Sequence, residues 1–172
     1  MARRKHCALP FNVRFADCCK LCKKYIYAEV PQFRDRKQAK GRMPLETLDA
    51  TLSDFEQVFT GFQSSKAPLK FLLFLADKDP STNRSWCPDC NVAEPVILEK
   101  LKASNDDVLL LRAYAGDRPT WRNPSHPWRI DPRFNLKGVP TFIRWGNGAI
   151  AGRLEDYEAH ISNKIEFLLA SN

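Results

Sequence analysis

The chain has 172 residues, 44% hydrophobic and 27% charged, so it can bury a sizeable core and is neither fibrous nor wholly disordered. Its longest apolar run, Phe71–Ala76, is six residues, which excludes a transmembrane helix, and we expect no secretory signal. The net charge of +7 by itself suggests nucleic acid or an acidic membrane surface as a partner.

The positive charge is concentrated at one end of the chain. Met1–Arg42 contains twelve Lys and Arg against three Asp and Glu, net +9, whereas Met43–Asn172 carries −2. Four of the six cysteines also lie in the first segment: Cys7, Cys18, Cys19 and Cys22. We therefore predict a flexible, basic N-terminal extension over 1–42 and a globular domain over 43–172. A zinc knuckle, a second redox pair and palmitoylated cysteines remain alternatives for the extension.

A strand, a helix and a second strand open the domain. Leu45–Leu48 predicts a short edge strand. Ser53 and Glu56 have the spacing of a capping box, which predicts a helix with Ser53 as its N-cap. The apolar face of that helix comprises Phe55, Val58, Phe59 and Phe62. Leu69–Ala76 is apolar apart from Lys70, which predicts a central strand buried on both faces.

The second half continues the alternation of strands and helices. We predict a helix over Cys87–Lys102 and a buried strand over Val108–Tyr114, whereas Pro119–Pro132 is too rich in Pro and Trp for a regular element. Phe142–Trp145 and Ala149–Leu154 flank a Gly-Asn-Gly turn, which predicts a hairpin. A closing helix has the apolar positions Tyr157, Ile161, Ile165 and Leu168. This order predicts an α/β domain with a mixed central sheet and helices on both faces.

The motif with chemistry is Trp86-Cys87-Pro88-Asp89-Cys90, placed between a buried strand and a helix. Two cysteines at this spacing predict a redox-active dithiol. The unpaired amides and the macrodipole at a helix start stabilise a thiolate, so the pKa of Cys87 should fall from about 8.5 toward about 7. The charge of Asp89 opposes that shift, but we expect solvent to screen it. Pro88 suits the first helical position because it lacks an N–H group.

A structural zinc site is the main alternative for this cysteine pair. Tetrahedral zinc needs four ligands, and Met43–Asn172 has no second cysteine pair. His126 and His160 do not have the spacing of zinc ligands. We therefore expect redox chemistry and no metal.

Three groups of residues together resemble the thioredoxin superfamily. They are Trp86-Cys87-Pro88-Asp89-Cys90, Pro95 within the following helix, and Gly138-Val139-Pro140-Thr141. Phe74-Leu75-Ala76-Asp77 and Asp131-Pro132-Arg133-Phe134 narrow the resemblance to the family of Clot and the fourteen-kilodalton thioredoxin-related protein, also called thioredoxin domain-containing protein 17. The resemblance covers essentially Met43–Asn172 and implies a thioredoxin-like fold.

The resemblance also implies roles for individual residues. Cys87 would be the nucleophile and Cys90 the resolving cysteine, which together form a redox-active disulfide. Pro140 would be a cis-proline beside the thiols, and the Val139 backbone would pair with an extended substrate. The residues that shape the site would be Trp86, Pro88, Asp89, Val139 and Pro140.

The function implied is a protein-disulfide reductase that maintains redox homeostasis in the cytosol. It would act on a restricted set of disulfide-containing proteins or small molecules. Electrons would come from NADPH through thioredoxin reductase or the glutathione system, with no bound cofactor. We expect a monomer that binds neither nucleic acid nor membrane.

Two other functional classes remain. In a redox-sensing binding module, the dithiol would regulate partner association and a Trp-rich loop would hold the partner. In the other class, the basic extension would bind nucleic acid. Trp121, Trp128 and His126 could either form such a binding surface or pack the loop onto its own domain.

Two features depart from ordinary thioredoxin. Leu73 stands where a buried aspartate is usual, so proton transfer to and from Cys90 needs another route. Two long loops, Asp77–Trp86 and Gly116–Lys137, flank the motif. Loops of this length in a compact domain are usually functional, and our hypothesis is that they wall the dithiol and narrow the range of its substrates.

Overall fold

The computed structural model describes residues 45–170; the predicted extension over 1–42 and its boundary lie outside the described residues. The elements in chain order are β1 (Leu45–Ala50), α1 (Phe55–Ser64), β2 (Leu69–Leu75), α2 (Pro88–Lys102), β3 (Val108–Tyr114), α3 (Arg118–Arg122), α4 (Pro127–Ile130), β4 (Thr141–Gly146), β5 (Ala149–Glu155), a 3₁₀ turn (Asp156–His160) and α5 (Ser162–Ala170). Over the described residues, no helix has the length and apolar character needed to cross a bilayer.

The five strands form one sheet in the order β1-β3-β2-β4-β5. Strands β1 and β2 both pair with β3 in parallel, whereas β4 is antiparallel to β2 and to β5. The mixed sheet, with β1 at its edge and the second predicted strand at its centre, is confirmed. Because β2 is central, its side chains from Phe71 to Leu75 are buried on both faces.

Helices cover both faces of the sheet, as the alternating pattern predicts. Successive strand residues point to opposite faces, so Phe74 packs on the α1 side while Leu73 lies on the α2 side. On the α1 side, the ring of Phe74 lies 5.9 Å from that of Phe55. On the other side, α2 packs against α5 and the 3₁₀ turn. This arrangement places the first turn of α2 just beyond the carboxyl end of β2.

Aromatic rings form the core on the α1 side. Phe55 contacts four rings, with centroid distances of 5.3 Å to Phe59, 5.9 Å to Phe74, 4.9 Å to Trp128 and 5.6 Å to Phe134. Trp128 and Phe134 belong to the long segment between β3 and β4. The aromatic core therefore anchors that segment to the sheet and to α1.

The absence of regular structure predicted for Pro119–Pro132 is wrong. Helices α3 and α4 form there because each start has a local cap: Asp117 accepts from the Thr120 N–H at 2.9 Å, and His126 Nδ1 accepts from the Trp128 N–H at 3.2 Å. Each helix also has Pro in its first turn, where an N–H group is not needed.

The side chains of this segment settle the two interpretations left open for it. Trp121, Trp128 and His126 are all buried. The ring of His126 lies 4.9 Å from that of Trp121 and 5.6 Å from that of Trp128. These residues therefore pack the loop onto its own domain and do not form an exposed binding surface.

The predicted capping box is also wrong. Asp54, not Ser53, precedes the first helical residue, and its side chain caps no helical amide. Instead, Asp54 accepts from the backbone N–H and the hydroxyl of Thr51, at 2.6 and 2.7 Å. Glu56 pairs with Arg133, whose Nη1 lies 3.0 Å from Glu56 Oε2. The Glu56 carboxylate, which the local spacing predicts to cap the helix, thus binds Arg133, a residue distant in sequence.

The closing helix begins later than its apolar pattern predicts. Residues Asp156–His160 form a 3₁₀ turn, and α5 starts at Ser162. Asp156 has a φ of +48°, in the left-handed region, which breaks the helical path at that point. Tyr157 is consequently 63% exposed and does not belong to a buried helical face.

We expect Phe55→Ala to lower the free energy of unfolding by about 3–5 kcal/mol, because it leaves a cavity among four packed rings. The measurement is equilibrium denaturation by urea. Phe167→Ala is the matched control, since Phe167 is 77% exposed, and we expect a loss below about 1 kcal/mol. Equal losses in the two variants would contradict this account of the core.

Candidate active site

The two cysteines of the motif lie at the start of α2. Cys87 is the N-cap residue and Pro88 the first helical residue. The Cys87 sulfur accepts a hydrogen bond from the backbone N–H of Cys90 at 3.4 Å. Both thiols are free; Cys87 is 6% exposed and Cys90 is 1% exposed. Of the two sulfurs, Cys87 is therefore the one that a substrate can reach.

Hydrogen bonding separates the acidities of the two thiols. The Cys90 thiol stabilises the Cys87 thiolate, and with the backbone amides of Cys90 and Asp89 it lowers the pKa of Cys87 to about 7, although burial and the charge of Asp89 oppose the shift. The same interaction raises the pKa of Cys90 strongly, and burial adds to the effect. Near neutral pH a substantial fraction of Cys87 is therefore thiolate, whereas Cys90 remains a thiol.

Ser85 connects the end of β2 to the dithiol. Its buried hydroxyl donates to the Ala76 carbonyl at 3.1 Å and accepts from the Cys87 N–H at 3.2 Å. The N–H group of Ala76 donates to the Cys90 sulfur at 3.5 Å. Ala76, at the carboxyl end of the central strand, thus positions Cys90 directly and Cys87 through Ser85.

Asn91 braces the segment that leads into α2. Its Nδ2 donates to the Ser85 carbonyl at 2.8 Å and to the Cys87 carbonyl at 3.0 Å, while its Oδ1 accepts from the Ser85 N–H at 2.9 Å. These three bonds join the first turn of the helix to the two residues on either side of Trp86. The conformation of the dithiol segment is therefore held by hydrogen bonds as well as by packing.

The Gly138-Val139-Pro140-Thr141 segment forms the opposite wall of the site. The Val139–Pro140 peptide bond is cis, as the resemblance implies. The Cys87 sulfur lies 3.3 Å from the Val139 carbonyl oxygen, to which the thiol form donates. The Thr141 hydroxyl donates to the Gly138 carbonyl at 2.8 Å. Structure therefore brings together two motifs that are about fifty residues apart in sequence.

Gly138 permits a close approach of a carboxylate to this wall. A Cβ atom at position 138 would lie 2.0 Å from Asp156 Oδ1, so any larger residue would displace Asp156. The Asp156 backbone N–H also donates to the Pro140 carbonyl at 2.8 Å. Burial and the negative charges of Glu155 and Asp89 raise the pKa of Asp156. The charge of Asp89 therefore acts on the Asp156 carboxylate beside this wall.

Trp86 joins the dithiol to the long segment after β3. Its indole N–H donates to the Gly116 carbonyl at 3.0 Å, and Gly116 adopts a φ of +88° with its N–H donating to Asp77 Oδ1 at 2.8 Å. In return, Arg118 donates to the Trp86 carbonyl at 2.9 Å. The second long loop thus contacts Trp86, which belongs to the first loop and precedes Cys87, in keeping with the hypothesis that the two loops wall the dithiol.

Leu73 is fully buried, so the central strand has no carboxylate beneath Cys90. A buried carboxylate on the same helix is that of Glu94, one helical turn after Cys90. Its carboxylate is engaged by Lys78 at 2.6 Å and by Arg112 at 3.0 Å. Glu94 therefore ties α2 to the sheet and to the preceding loop.

The structure gathers every candidate residue of the sequence analysis around one dithiol: Trp86, Cys87, Pro88, Asp89, Cys90, Val139 and Pro140. Sequence reasoning missed the supporting residues Ser85, Asn91 and Arg118. Ser85 and Asn91 adjoin the motif, so their polar side chains were a usable local signal; Arg118 carried none. Within residues 45–170, no three His, Cys, Asp or Glu side chains are placed to hold a metal ion.

Comparisons with known proteins identify relatives along most of the chain. The thioredoxin domain model of thioredoxin domain-containing protein 17-like proteins matches residues 50–171. Thioredoxin-like protein Clot of Oryza sativa subsp. japonica is 54% identical over 132 residues, which are 72% of this chain and 95% of the relative. Clot of Arabidopsis thaliana is 52% identical over 131 residues, 74% of this chain and 98% of the relative.

A more distant relative is thioredoxin domain-containing protein 17 of Homo sapiens, 30% identical over 126 residues, 72% of this chain and 96% of the relative. Among solved structures, thioredoxin from Trypanosoma brucei brucei aligns with 78% of this chain and 99% of its own, at 18% identity and a TM-score of 0.47. The sequence matches, not this structural likeness, are the basis for assigning a family.

The lowered pKa of Cys87 predicts the pH dependence of its reactivity. Because the thiolate is the nucleophile, alkylation of Cys87 by iodoacetamide should accelerate as pH rises through about 7 and level off above it. Mass spectrometry of the Cys87 peptide measures this rate separately from other cysteines. An inflection at about 8.5, the value of an ordinary thiol, would contradict the prediction.

Asp89→Asn should move this inflection to lower pH, because it removes the negative charge that raises the pKa of Cys87. The matched control is Glu99→Gln, which removes an exposed carboxylate from the far half of the same helix. We expect that control to leave the inflection in place. Equal shifts in both variants would instead indicate a general effect of net charge.

Asn91→Ala should lower the free energy of unfolding by about 1–3 kcal/mol, because it leaves Ser85 and Cys87 backbone groups without their partner. Urea denaturation of the reduced protein measures the change. Asn163→Ala, at an exposed position in the first turn of α5, is the control and should change stability by less than about 0.5 kcal/mol. A loss in Asn91→Ala no larger than in this control would refute the bracing role.

Proposed function

This chain belongs to the thioredoxin domain-containing protein 17-like family, and we propose that it is a protein-disulfide reductase whose Cys87–Cys90 pair cycles between dithiol and disulfide. Family membership supports a thiol oxidoreductase role with a thioredoxin-like fold. The observation that carries the finer proposal is the placement of Cys87 as the N-cap of α2, where its sulfur accepts from the Cys90 N–H and lies 3.3 Å from the Val139 carbonyl beside cis-Pro140. This placement goes with a lowered pKa of Cys87 and a raised pKa of Cys90. In such a pair Cys87 is the thiolate that attacks, and Cys90 stays protonated until the second step.

In the first step, the Cys87 thiolate attacks one sulfur of a substrate disulfide. A bond forms between Cys87 and that sulfur, the substrate S–S bond breaks, and the other substrate sulfur leaves as a thiolate that takes a proton from solvent. Attack occurs through the small exposed part of Cys87, since Cys90 is almost fully enclosed. Cys87 is therefore the nucleophile and Cys90 is excluded from that role by its burial and its raised pKa.

The first step prepares the second. The bond to the thiolate of Cys87 is the largest cause that raises the pKa of Cys90. When Cys87 enters a mixed disulfide it loses its negative charge, so that cause disappears and the pKa of Cys90 falls. Cys90 then attacks the Cys87 sulfur, which forms the Cys87–Cys90 disulfide and breaks the bond between Cys87 and the substrate; the departing substrate thiolate takes the proton that Cys90 releases. No carboxylate in the place of Leu73 is required for this sequence.

The walls of the site support a restricted choice of substrates. An extended substrate segment would pair with the Val139 main chain beside Pro140, where the Val139 carbonyl lies 3.3 Å from the Cys87 sulfur. Trp86, held by Gly116 and Arg118, would bound the site on another side. Disulfides on exposed segments of proteins, and small disulfide molecules, could enter such a site.

For the remaining parts of the cycle we propose the following. Two electrons from NADPH, delivered by thioredoxin reductase or by the glutathione system, would return the Cys87–Cys90 disulfide to the dithiol. The protein would need no bound cofactor and would act as a monomer in the cytosol, where thiols are kept reduced. The charge of the domain over 43–172, −2, offers no reason to invoke nucleic acid.

A redox-sensing binding module is the alternative that the same dithiol permits. Its sequence support was a Trp-rich loop able to hold a partner. Trp121 and Trp128 are buried against their own domain, so this support is removed. Turnover with a regenerating reductase separates the two functions, because a sensor is oxidised once per chain and a reductase repeatedly.

Two cysteine variants test the reductase. With NADPH, thioredoxin reductase and a disulfide peptide, the unaltered protein should consume NADPH over many turnovers, and Cys87→Ser should reduce the rate to that of the reductase alone. Cys90→Ser should accumulate a mixed disulfide between Cys87 and the peptide, visible by mass spectrometry and released by dithiothreitol. Continued turnover in Cys87→Ser would refute the mechanism, and a single oxidation per chain in the unaltered protein would favour the sensor.

A further inference from the structure

The segment from Arg112 to Arg133 contains five arginines, most of which form ion pairs or cation–π contacts. Arg112 pairs with Asp49 and Glu94, and Arg133 pairs with Asp131 and Glu56. Arg129 lies 4.2 Å above the Trp121 ring and donates to the Trp121 carbonyl. The other two, Arg118 and Arg122, are exposed residues of helix α3.

Arg118 is the one of these two that is fixed beside the dithiol. Its Nη2 donates at 2.9 Å to the carbonyl oxygen of the peptide bond that joins Trp86 to Cys87, and its guanidinium carbon lies 5.4 Å from the Trp86 ring centroid. Trp86 is itself held by its bond to Gly116. Two contacts thus hold the guanidinium in one place on an otherwise exposed side chain.

The charge of Arg118 is available to an incoming chain. Within residues 45–170, no carboxylate lies within ion-pair distance of its guanidinium. A guanidinium has five N–H donors in a planar fork, and the carbonyl bond accounts for one of them. The remaining donors can bind both oxygens of a carboxylate.

The other charges at the rim have the opposite sign. Asp89 is exposed on the first turn of α2, and its charge acts on Asp156 at the Val139–Pro140 wall. Two carboxylates on the Trp86 side accept from backbone groups: Asp77 from the Gly116 N–H and Asp117 from the Thr120 N–H. Arg118 is the cation on that side, whereas Asp89 and Asp156 lie on the other. An acidic substrate side chain is attracted to the first side and repelled from the second, so it is directed to one place.

We infer that Arg118 is a specificity-determining residue, which binds a carboxylate on the substrate chain and favours disulfides that have an acidic residue next to the attacked cysteine. The inference rests on the proposed reductase activity. The Arg118 guanidinium is hydrogen-bonded to the peptide group that precedes Cys87. It can therefore contact only substrate side chains that lie about one or two residues from the attacked cysteine. The substrate class is an acidic peptide segment.

The test uses three disulfide peptides that differ only in the residue beside the cysteine: Glu, Gln or Lys. For each, kcat/KM is measured with NADPH and thioredoxin reductase and divided by the rate of reduction by dithiothreitol, which removes differences in intrinsic reactivity. We expect the unaltered protein to prefer Glu over Gln by about two- to fivefold, as for an exposed ion pair. The preference should shrink as salt is added.

Substitutions at Arg118 should change the ratio between peptides. Arg118→Gln should make the Glu and Gln peptides equal, Arg118→Lys should retain part of the preference, and Arg118→Glu should reverse it in favour of the Lys peptide. Arg122→Gln is the matched control, because it removes the same charge from the same short helix, and it should keep the preference. Alkylation of Cys87 in each variant reports whether the thiolate itself has changed.

The outcomes separate this inference from the proposed function. If no peptide is turned over by the unaltered protein, the reductase proposal fails. If all three peptides are turned over with equal normalised kcat/KM, if the preference survives in Arg118→Gln, or if Arg118→Gln lowers all three equally, the specificity role is overturned while the reductase stands.

Discussion

The hydrogen bond from Cys90 to the Cys87 sulfur is the interaction on which the chemistry of this site depends. It stabilises the charge of one thiolate and retains the proton of the other thiol, so the two cysteines acquire different roles although they share one helical turn. The Cys90 backbone N–H also donates to the Cys87 sulfur, at 3.4 Å, because Cys87 is the N-cap of α2 and Cys90 lies at the third helical position. In the proposed mechanism the hydrogen bond between the two sulfurs also sets the order of the two steps. Once the Cys87 thiolate has formed a mixed disulfide, the main cause that keeps Cys90 protonated is gone.

The surrounding fold keeps that bond in place from three directions. Ala76, at the end of the central strand, binds the Cys90 sulfur through its N–H and the Ser85 hydroxyl through its carbonyl. Asn91 braces the segment before the helix. The long segment after β3, which the aromatic core anchors through Trp128 and Phe134, reaches the site through Gly116 and Arg118. Core packing on the α1 side and the shape of the active-site rim are thus properties of the same segment.

The charge of this chain is distributed unevenly along the sequence. The whole-chain value of +7 is the sum of +9 on residues 1–42 and −2 on residues 43–172, so the domain that carries the dithiol is slightly acidic. Within that domain, arginines that look alike in sequence differ in use. Arg112 fastens the sheet to α2 through Glu94, Arg133 fastens the long segment to α1 through Glu56, and Arg118 keeps its charge at the rim. Only the last of these is positioned to meet a substrate.

The amino-acid sequence by itself determined the order of the strands and of the longer helices, the mixed sheet and the family, because periodicity, the Cys-Pro-Asp-Cys spacing and the Val139–Pro140 motif are local patterns. It did not determine the cap of α1, the start of α5, the helices α3 and α4, or the burial of Trp121 and Trp128. Tertiary structure decided the first and the last of these, because Glu56 pairs with Arg133, seventy-seven residues away, and the tryptophans pack on rings from α1 and β2 or on His126. Helices α3 and α4 have local caps instead, at Asp117 and His126, and the left-handed φ of Asp156 delays α5. A distant partner likewise positions Arg118, whose place beside Cys87 is set by a carbonyl thirty-two residues earlier in the chain.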